Sequence, residues 1–548
     1  ADNSSTANMF VDDSANSNNW SHHNMSNAAG TGDDSVEDTP TNNYCTLNPI
    51  SHRMLTSPSN GALDLVIPAS ATNHHGWGTF AVTSGKYYWE CNYVADTGNY
   101  LIVGVGYEEA NSDFKAVRGA DGELVPNTGS VSVSFGDGDV IMVALDYDNS
   151  KWYIGKDGSW MLSGDPVNGT GYVHNDLTST KPLSPMFKNA TGSGGQTFAV
   201  NFGQQGFTHT PPTGFKALCS ANLPEPTIKK PTDYFNTVLY TANATNGKTV
   251  TGVGFSPDLF WAARRNASGA SSQIYDTVRG VGKGLDVAYA NDTEVANGVT
   301  SFDSDGVTLG ATWPNANNND SWVAWNWKES ATAGFDMFGY TGTGNNPQTR
   351  AHSLGVVPEM IIVKSLDSGE TDQHWVVYHH KSNATPEDYF GRLNTLDDFE
   401  DHQMWNDTAP TSSVFTTQNH AISNYNGSTF VTYLWASVEG YSKVGGYSGN
   451  GNANGVFVYL GFKPAFLLIK CTNGDESWEI YDNKRLGYNV DNEIYTPDLN
   501  VAEGTQDRVD LLSNGFKARI NSGGLNGSSK DYIYLAFAET SFKYATAR

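Results

Sequence analysis

Beyond residue 231 the same four landmarks recur three times in the same order, and any fold of this region must accommodate that recurrence. The first landmark is Tyr240-Thr-Ala-Asn, Tyr340-Thr-Gly-Thr-Gly and Tyr447-Ser-Gly-Asn-Gly. Pro257, Pro358 and Pro464 follow, 17 or 18 residues after each tyrosine. Each proline opens an apolar stretch that ends in a basic residue: Asp258-Leu-Phe-Trp-Ala-Ala-Arg264, Glu359-Met-Ile-Ile-Val-Lys364 and Ala465-Phe-Leu-Leu-Ile-Lys470. Then come Ile274-Tyr-Asp276, Trp375-Val-Val-Tyr378 and Trp478-Glu-Ile-Tyr-Asp482. The closing runs are Trp322-Val-Ala-Trp-Asn-Trp327, Phe430-Val-Thr-Tyr-Leu-Trp435 and Tyr532-Ile-Tyr-Leu-Ala-Phe537. A period of about 100 residues exceeds that of solenoids and propeller blades, so each copy is expected to hold its own small sandwich core, as beads in a row. The expected copies span 225–333, 334–440 and 441–548.

Upstream, five blocks between Gly85 and Phe207 alternate aromatic or β-branched residues with small or polar ones, separated by Gly, Asn and Asp. That is the pattern of half-buried antiparallel strands. In Tyr87 to Tyr93, side chains of Tyr87, Trp89, Cys91 and Tyr93 share one face, and those of Tyr88, Glu90 and Asn92 the other. Pro211-Pro-Thr-Gly-Phe215 and Leu223-Pro-Glu-Pro-Thr-Ile-Lys-Lys-Pro231 stop a sheet, because proline fixes φ and removes a donor. A boundary is therefore expected near residue 225, closing a domain over 44–224. Residues 1–43, rich in Asn, Ser, Asp and Thr with anchors Phe10, Trp20 and Met25, cannot bury enough to fold alone; the segment is either disordered or clamped against something else, and packing on a partner is the expectation.

The apolar share of 38% and charged share of 16% are both low, the balance being Gly, Asn, Ser and Thr, which suits short strands and turns. The fold class is all-β. A net charge of −26 excludes phosphate-backbone binding, which needs clustered Lys and Arg. Cys45, Cys91, Cys219 and Cys471 form no Cys-x-x-Cys pair, which removes zinc ribbons and redox motifs. Cys45 and Cys219 bracket the upstream blocks; free thiols are the favoured reading and a disulfide the lesser one. No apolar run is long enough to span a membrane and no signal peptide opens the chain. A first residue of Ala in place of Met fits processing or truncation of a longer precursor.

The five upstream blocks resemble the SPRY domain, a bent β-sandwich of the concanavalin A-like kind. The residues that carry the likeness are Gly85-Lys-Tyr-Tyr-Trp-Glu90, Leu101-Ile-Val-Gly-Val-Gly-Tyr107, Gly138-Asp-Val to Asp148 with Trp152-Tyr-Ile-Gly-Lys-Asp-Gly158, Pro182-Leu-Ser-Pro-Met-Phe187 and Phe198-Ala-Val-Asn-Phe-Gly-Gln. That resemblance implies an interaction module whose loops at one end recognise a partner. The repeated unit resembles an uncharacterised module of phage tail-fibre-like proteins. Phe10-Val-Asp-Asp-Ser-Ala-Asn with Asn19-Trp20, and Asp38-Thr-Pro-Thr-Asn-Asn-Tyr44, are similar to segments of bacteriophage tail and appendage proteins, especially those of marine phages.

Motifs for chemistry are thin. Gly247-Lys-Thr249 lacks the P-loop glycine, since Ala242 stands at its place, and reads as a hairpin turn. Gly280-Val-Gly-Lys-Gly284 lacks the third glycine and the βαβ setting of a dinucleotide site. His22-His23, His74-His75 and His379-His380 are read as partly exposed loop histidines, because neighbours on a strand point to opposite faces and do not chelate. Asp303-Ser-Asp305-Gly306 and Asp397-Asp-Phe-Glu-Asp401 offer oxygen ligands for a weak calcium site, with solvated turns the plainer reading. Otherwise no cofactor or metal is expected. Rings in polar loops, Trp77, Tyr107, Trp160, Trp313 and Trp405, suit stacking on a sugar or protein partner, the alternative being a ring that caps its own sandwich. By the SPRY resemblance the first candidates for ligand contact are His74, His75, Trp77, Tyr107, Phe114 and Trp160.

The sequence therefore points to a structural, non-enzymatic virion protein of a bacteriophage: a tail fibre, spike or surface appendage. It would bind host-surface glycan and other virion proteins at the particle surface, as a homotrimer. The alternatives are a capsid-surface fibre or decoration without host binding, and a secreted glycan-cleaving enzyme of concanavalin A-like fold, whose paired carboxylates can come from distant strands.

Overall fold

The computed structural model describes residues 39, 42–51, 53–68, 74–96, 101–107, 114–125, 129–132, 134–177, 181–189, 195–290, 296–367, 373–485, 489 and 493–544. The expected N-terminal segment, with Phe10, Trp20, Met25 and the pair His22-His23, lies almost wholly outside them. Among the described residues every regular element is a strand or a short 3-10 turn. The chain divides into two compact units, one within 1–224 and the other within 225–546.

The first unit is a sandwich. Its long sheet runs Asp64–Ile67, Gln196–Asn201, Lys86–Asp96, Val140–Asp146, Lys151–Lys156, Ser159–Trp160, with Lys216–Ala217 added in parallel to Lys86–Asp96. Its short sheet runs His75–Trp77, Ser184–Asn189, Leu101–Gly106, Phe114–Arg118, Leu124–Val125. The inner faces meet where Phe187 stacks on Phe198 at 5.1 Å between ring centroids. Tyr93 opposes Phe198 in register, so Tyr87, Trp89, Cys91 and Tyr93 form the core-facing row. Gly104 is required by close strand pairing: a Cβ there would come within 2.3 Å of the Lys115 carbonyl. Cys45 and Cys219 are both buried and are not joined in a disulfide. Their segments are neighbours, the Cys45 amide donating to the Leu218 carbonyl, but the Cys219 sulfur instead accepts a hydrogen bond from Asn222 at 3.2 Å.

The second unit contains three main sheets with one strand order. Each has an opening strand (Phe235–Thr241, Phe335–Thr341, Ser442–Ser448) beside a closing strand (Ser321–Trp327, Thr429–Trp435, Asp531–Ser541). An inner strand follows (Leu259–Arg264, Met360–Ser365, Phe462–Cys471), then an edge strand (Gln273–Asp276, Trp375–His379, Glu479–Asp482). The landmark tyrosines oppose the first aromatic of each closing strand and stack on it: Tyr240 on Trp322, Tyr340 on Phe430, and Tyr447 on Tyr532 at 4.9 Å.

Each tyrosine hydroxyl also donates to the carbonyl just before an asparagine: Pro314, Ser423 and Leu525 accept, preceding Asn315, Asn424 and Asn526. The carboxamide oxygens of those asparagines accept the backbone N–H of Asn243, Thr343 and Asn450, in the loop after each opening strand. Buried backbone groups need such partners, and here one side chain supplies them in all three sheets.

The closing strands are apolar on both faces. Trp322 and Ala324 pack into a cluster private to the first sheet, Phe430 and Leu434 into one private to the second, and Tyr532, Tyr534 and Ala536 into one private to the third. The opposite rows, Val323, Trp325 and Trp327, Val431, Tyr433 and Trp435, and Ile533, Leu535 and Phe537, all enter a single shared core. Trp327 lies 6.5 Å from Trp435 and 5.7 Å from Phe537. The expected row of beads is thus replaced by three sheets closed around one core, because a strand with two apolar faces has to bury both.

A basic side chain bridges each pair of sheets, at equivalent positions in two of the three seams. Lys364 Nζ of the second donates to the Ala290 carbonyl of the first at 2.6 Å, and Lys470 Nζ of the third to the Leu396 carbonyl of the second at 2.8 Å. The first sheet meets the third through Arg265, paired with Glu493 at 2.6 Å and Glu503 at 2.9 Å.

Candidate binding face on the sandwich

The outer face of the long sheet carries the row that sequence alternation assigned to Tyr88, Glu90 and Asn92. Register places Tyr88 opposite Ala144 and Ala144 opposite Tyr153, and with Met142 and Phe215 these form a small apolar floor. Trp160, Tyr172 and Phe207 lie partly exposed upon it. Tyr88 meets Phe207 edge-on at 4.8 Å and Trp160 edge-on at 6.3 Å, arrangements favoured by ring quadrupoles.

Glu90 holds one side of this face. Fully buried, it accepts the Tyr88 hydroxyl at 2.8 Å and the N–H groups of Thr208 and His209 at 2.8 and 2.7 Å, which seats Phe207. Burial and the adjacent Glu90 carboxylate push the Tyr88 phenol far above its ordinary range. Burial, then the charges of Asp146 and Asp165, push Tyr153 up to about 12.

The other side is a loop from Trp160 to Tyr172. Leu162 and Ser163 are held at φ 52° and 53°, a left-handed conformation that costs an ordinary residue about 1–2 kcal/mol. Gly171 backs onto the same turn, where a Cβ would sit 2.6 Å from the Gly164 Cα. Lys151 Nζ donates to the Gly169 carbonyl at 2.7 Å and lies over the Tyr172 ring at 5.3 Å. Asp165 accepts both the N–H and the side-chain amide of Asn168, which hold its carboxyl below the usual range. The turn presents Leu162 and Val167 outward at 52% and 51% exposure. Strain that the surroundings enforce, displaying apolar side chains beside aromatic rings, marks a contact surface.

The six sequence candidates do not form one surface. His74, His75 and Trp77 are fully buried, and Trp77 packs with Phe114, Ile102, Ala116 and Met186 on the short sheet. They are interior side chains because the His75–Trp77 stretch is itself a strand and not a loop. Burial lowers the pKa of His74, whose Nε2 lies 3.5 Å from the Thr56 hydroxyl. Tyr107, half-buried, sits beneath the Lys181 ammonium at 5.3 Å, and Trp160 alone of the six belongs to the long-sheet face. Of the other loop rings, Trp405 is buried beside Tyr378, and Trp313 is sandwiched by Trp322 and Arg264. His379 is likewise fully buried. Tyr172, Phe207 and Leu162 were missed; the paired glycines 169 and 171 were the signal for a tightly wound loop.

The acidic loops are occupied by the protein itself. Asp305 accepts the N–H groups of Gly252 and Gly254, Asp303 the hydroxyls of Ser301 and Thr308, and Asp397 and Glu400 pair with Arg392. Among the described residues no three metal-ligating side chains converge. The carboxylates around the candidate face are similarly engaged, Asp146 by Lys86 and Asn149.

No curated protein matches the chain. Among solved structures, the SPRY domain of human HERC1 aligns at 22% identity over 30% of this chain and 96% of its own, with a TM-score of 0.21. The TRIM65 PSpry domain aligns at 11% identity over 28% and 89%, with a TM-score of 0.21. Stonustoxin aligns at 17% identity over 29% of this chain and 27% of its own, with a TM-score of 0.22. A family model covers residues 230–541, the whole of the three-sheet assembly and most of the chain, so the protein belongs to the family described as Domain of unknown function (DUF7483).

Proposed function

We propose that this chain is a structural, non-enzymatic protein of a bacteriophage particle that uses the long-sheet face of its sandwich to bind host-surface glycan. The observation that carries the binding reading is the strained turn at Leu162 and Ser163, set among Trp160, Tyr172 and Phe207. Flat, rotamer-poor rings stack on sugar faces at low entropic cost, and the ammonium groups of Lys86 and Lys151 lie at their rim. The virion setting rests on the sequence resemblance of the repeated unit and of the N-terminal segment to phage appendage chains. Three copies of one ancestral module, fused in tandem, account for the recurring strand order, and a further homotrimer of such chains belongs to the same reading. Among the described residues no helix is long and apolar enough to cross a membrane.

The test is binding of the purified chain and its Trp160→Ala and Leu162→Asp variants to immobilised bacterial lipopolysaccharides and capsular polysaccharides. Tenfold or greater weakening in both variants, with unchanged melting, supports the assignment. Binding that both variants retain refutes this face, and new reducing ends in the incubated polysaccharide refute the non-enzymatic reading. Antibody labelling of virions tests the location.

A further inference from the structure

Two of the three seams of the second unit share one device, and the third departs from it. Where the edge strand of the first sheet meets the closing strand of the second, Asp276 pairs with Arg279 at 2.6 Å and accepts the Tyr433 hydroxyl at 2.7 Å. Where the third meets the first, Asp482 pairs with Arg485 at 2.6 Å and accepts the Trp325 indole N–H at 3.1 Å. Both arginines donate as well to the carbonyl two residues before the aspartate, Ile274 and Ile480. At the seam between the second and third sheets the corresponding residues are His379, Ser382 and Leu535.

His379 has no carboxylate opposite it. Its Nε2 lies 3.3 Å from the Tyr534 carbonyl of the third sheet, and its Nδ1 accepts the Lys381 N–H at 3.1 Å. Those partners fix the neutral tautomer with the proton on Nε2, and a second proton on Nδ1 would face the Lys381 N–H. His380 beside it donates from Nε2 to the Val444 carbonyl at 3.1 Å, and its Nδ1 faces Glu359 at 3.8 Å. The remaining charged group acting on both imidazoles is Lys381 on the same segment, and Tyr534 and Val444 of the third sheet meet the pair through their backbone carbonyls. A charge on His380 has Glu359 to meet it. A charge on His379 meets Lys381, His380 and apolar surface.

We propose that the His379 seam is an acid-sensitive latch: protonation of His379 breaks its bond to the Lys381 N–H and loosens the contact between the second and third sheets, while the two aspartate–arginine seams stay closed. Burial, followed by the neighbouring His380 and Lys381, holds the His379 pKa well below the ordinary histidine range. The imidazole is therefore neutral in the closed state, and its contribution is complete above the unfolded-state pKa of about 6.5 and declines as pH falls below it.

The experiment is hydrogen exchange by mass spectrometry on the full chain at pH 7.5 and 5.5, corrected for intrinsic exchange. The expected result is a tenfold or greater rise in exchange for peptides covering 378–384 and 442–446 at pH 5.5, with peptides covering 274–279 and 480–485 changing less than threefold. In the double variant His379→Asp, Ser382→Arg, which installs the device of the other two seams, and in His379→Gln, the acid response should vanish. In His380→Gln it should persist. Equal acid responses at all three seams of the native chain, no response at any of them, or a response that survives in His379→Gln would each overturn the proposal. Should a variant fail to fold, the native comparison of the three seams decides alone.

Discussion

Replacing Asp276 by Asn should destabilise the three-sheet unit by about 3 kcal/mol, the lower end of the range for breaking a buried ion pair from one side. The fully buried carboxylate accepts three bonds: the Arg279 N–H at 2.8 Å, the Arg279 Nε at 2.6 Å and the Tyr433 hydroxyl at 2.7 Å. Asparagine keeps one acceptor for the backbone N–H but turns an amide NH2 toward the other two donors. The Arg279 guanidinium retains the Lys283 and Ile274 carbonyls, which is why the lower end applies. Tyr433→Phe removes only a hydroxyl bonded to a charge and should cost about 2 kcal/mol. In the double variant the hydroxyl has already lost its acceptor, so the total should stay near 3 to 3.5 kcal/mol and the coupling should be about 1.5 kcal/mol. The assay is urea unfolding of the full chain, with the relevant transition assigned by hydrogen exchange of peptides covering 323–327 and 431–435. A cost below about 1 kcal/mol for Asp276→Asn, or strict additivity in the double variant, would refute the reasoning that the sheets are locked through this carboxylate.

Three further outcomes can be measured. Asn424→Ala should cost about 2–3 kcal/mol in urea unfolding, because the Thr343 N–H and the Arg350 guanidinium lose their acceptor and the Asn345 carbonyl its donor. Reducing agent should leave the melting temperature unchanged, and native-state alkylation should leave all four thiols unmodified, because each cysteine is buried and outside a disulfide. Glu329 has its pKa raised to about 7, by burial first and then by Asp336, against an ordinary 4.5. The folded state therefore holds its proton more tightly, and the stability that this contributes below pH 4.5 is lost as pH rises through 7. Glu329→Gln should raise the melting temperature at pH 8 and leave it nearly unchanged at pH 4.5; an equal effect at both values would contradict the coupling.

Much of the second unit was legible in its sequence. The tyrosines at 240, 340 and 447 and the prolines at 257, 358 and 464 mark strands that superpose in order, since aromatic alternation and proline both act locally. The asparagines at 315, 424 and 526 escaped notice, although they repeat as faithfully, because an Asn-rich background hides three more and their role depends on a carbonyl and a loop brought together only by folding. The shared core was readable in principle. From Trp322 to Trp325 both alternating rows are apolar, and a strand of a private two-layer sandwich needs only one such row. On the sandwich, the assignment of Tyr88 and Glu90 to the outer row located the floor of the candidate face. The misplacement of Trp77 came from reading His74-His-Gly-Trp77 as a polar loop, when both histidine side chains are in fact buried.

Joining three equivalent sheets in one polypeptide frees each boundary to change by itself. In a ring of three identical chains a single codon change is written into every interface at once, so a histidine that weakens one boundary in acid would weaken all three, and the ring would come apart. Here the second boundary can carry His379 while Asp276 and Asp482 keep the other two shut. Such a ring can open at one place and remain a single particle, tethered through its own backbone, and can reclose without having to find its partners again.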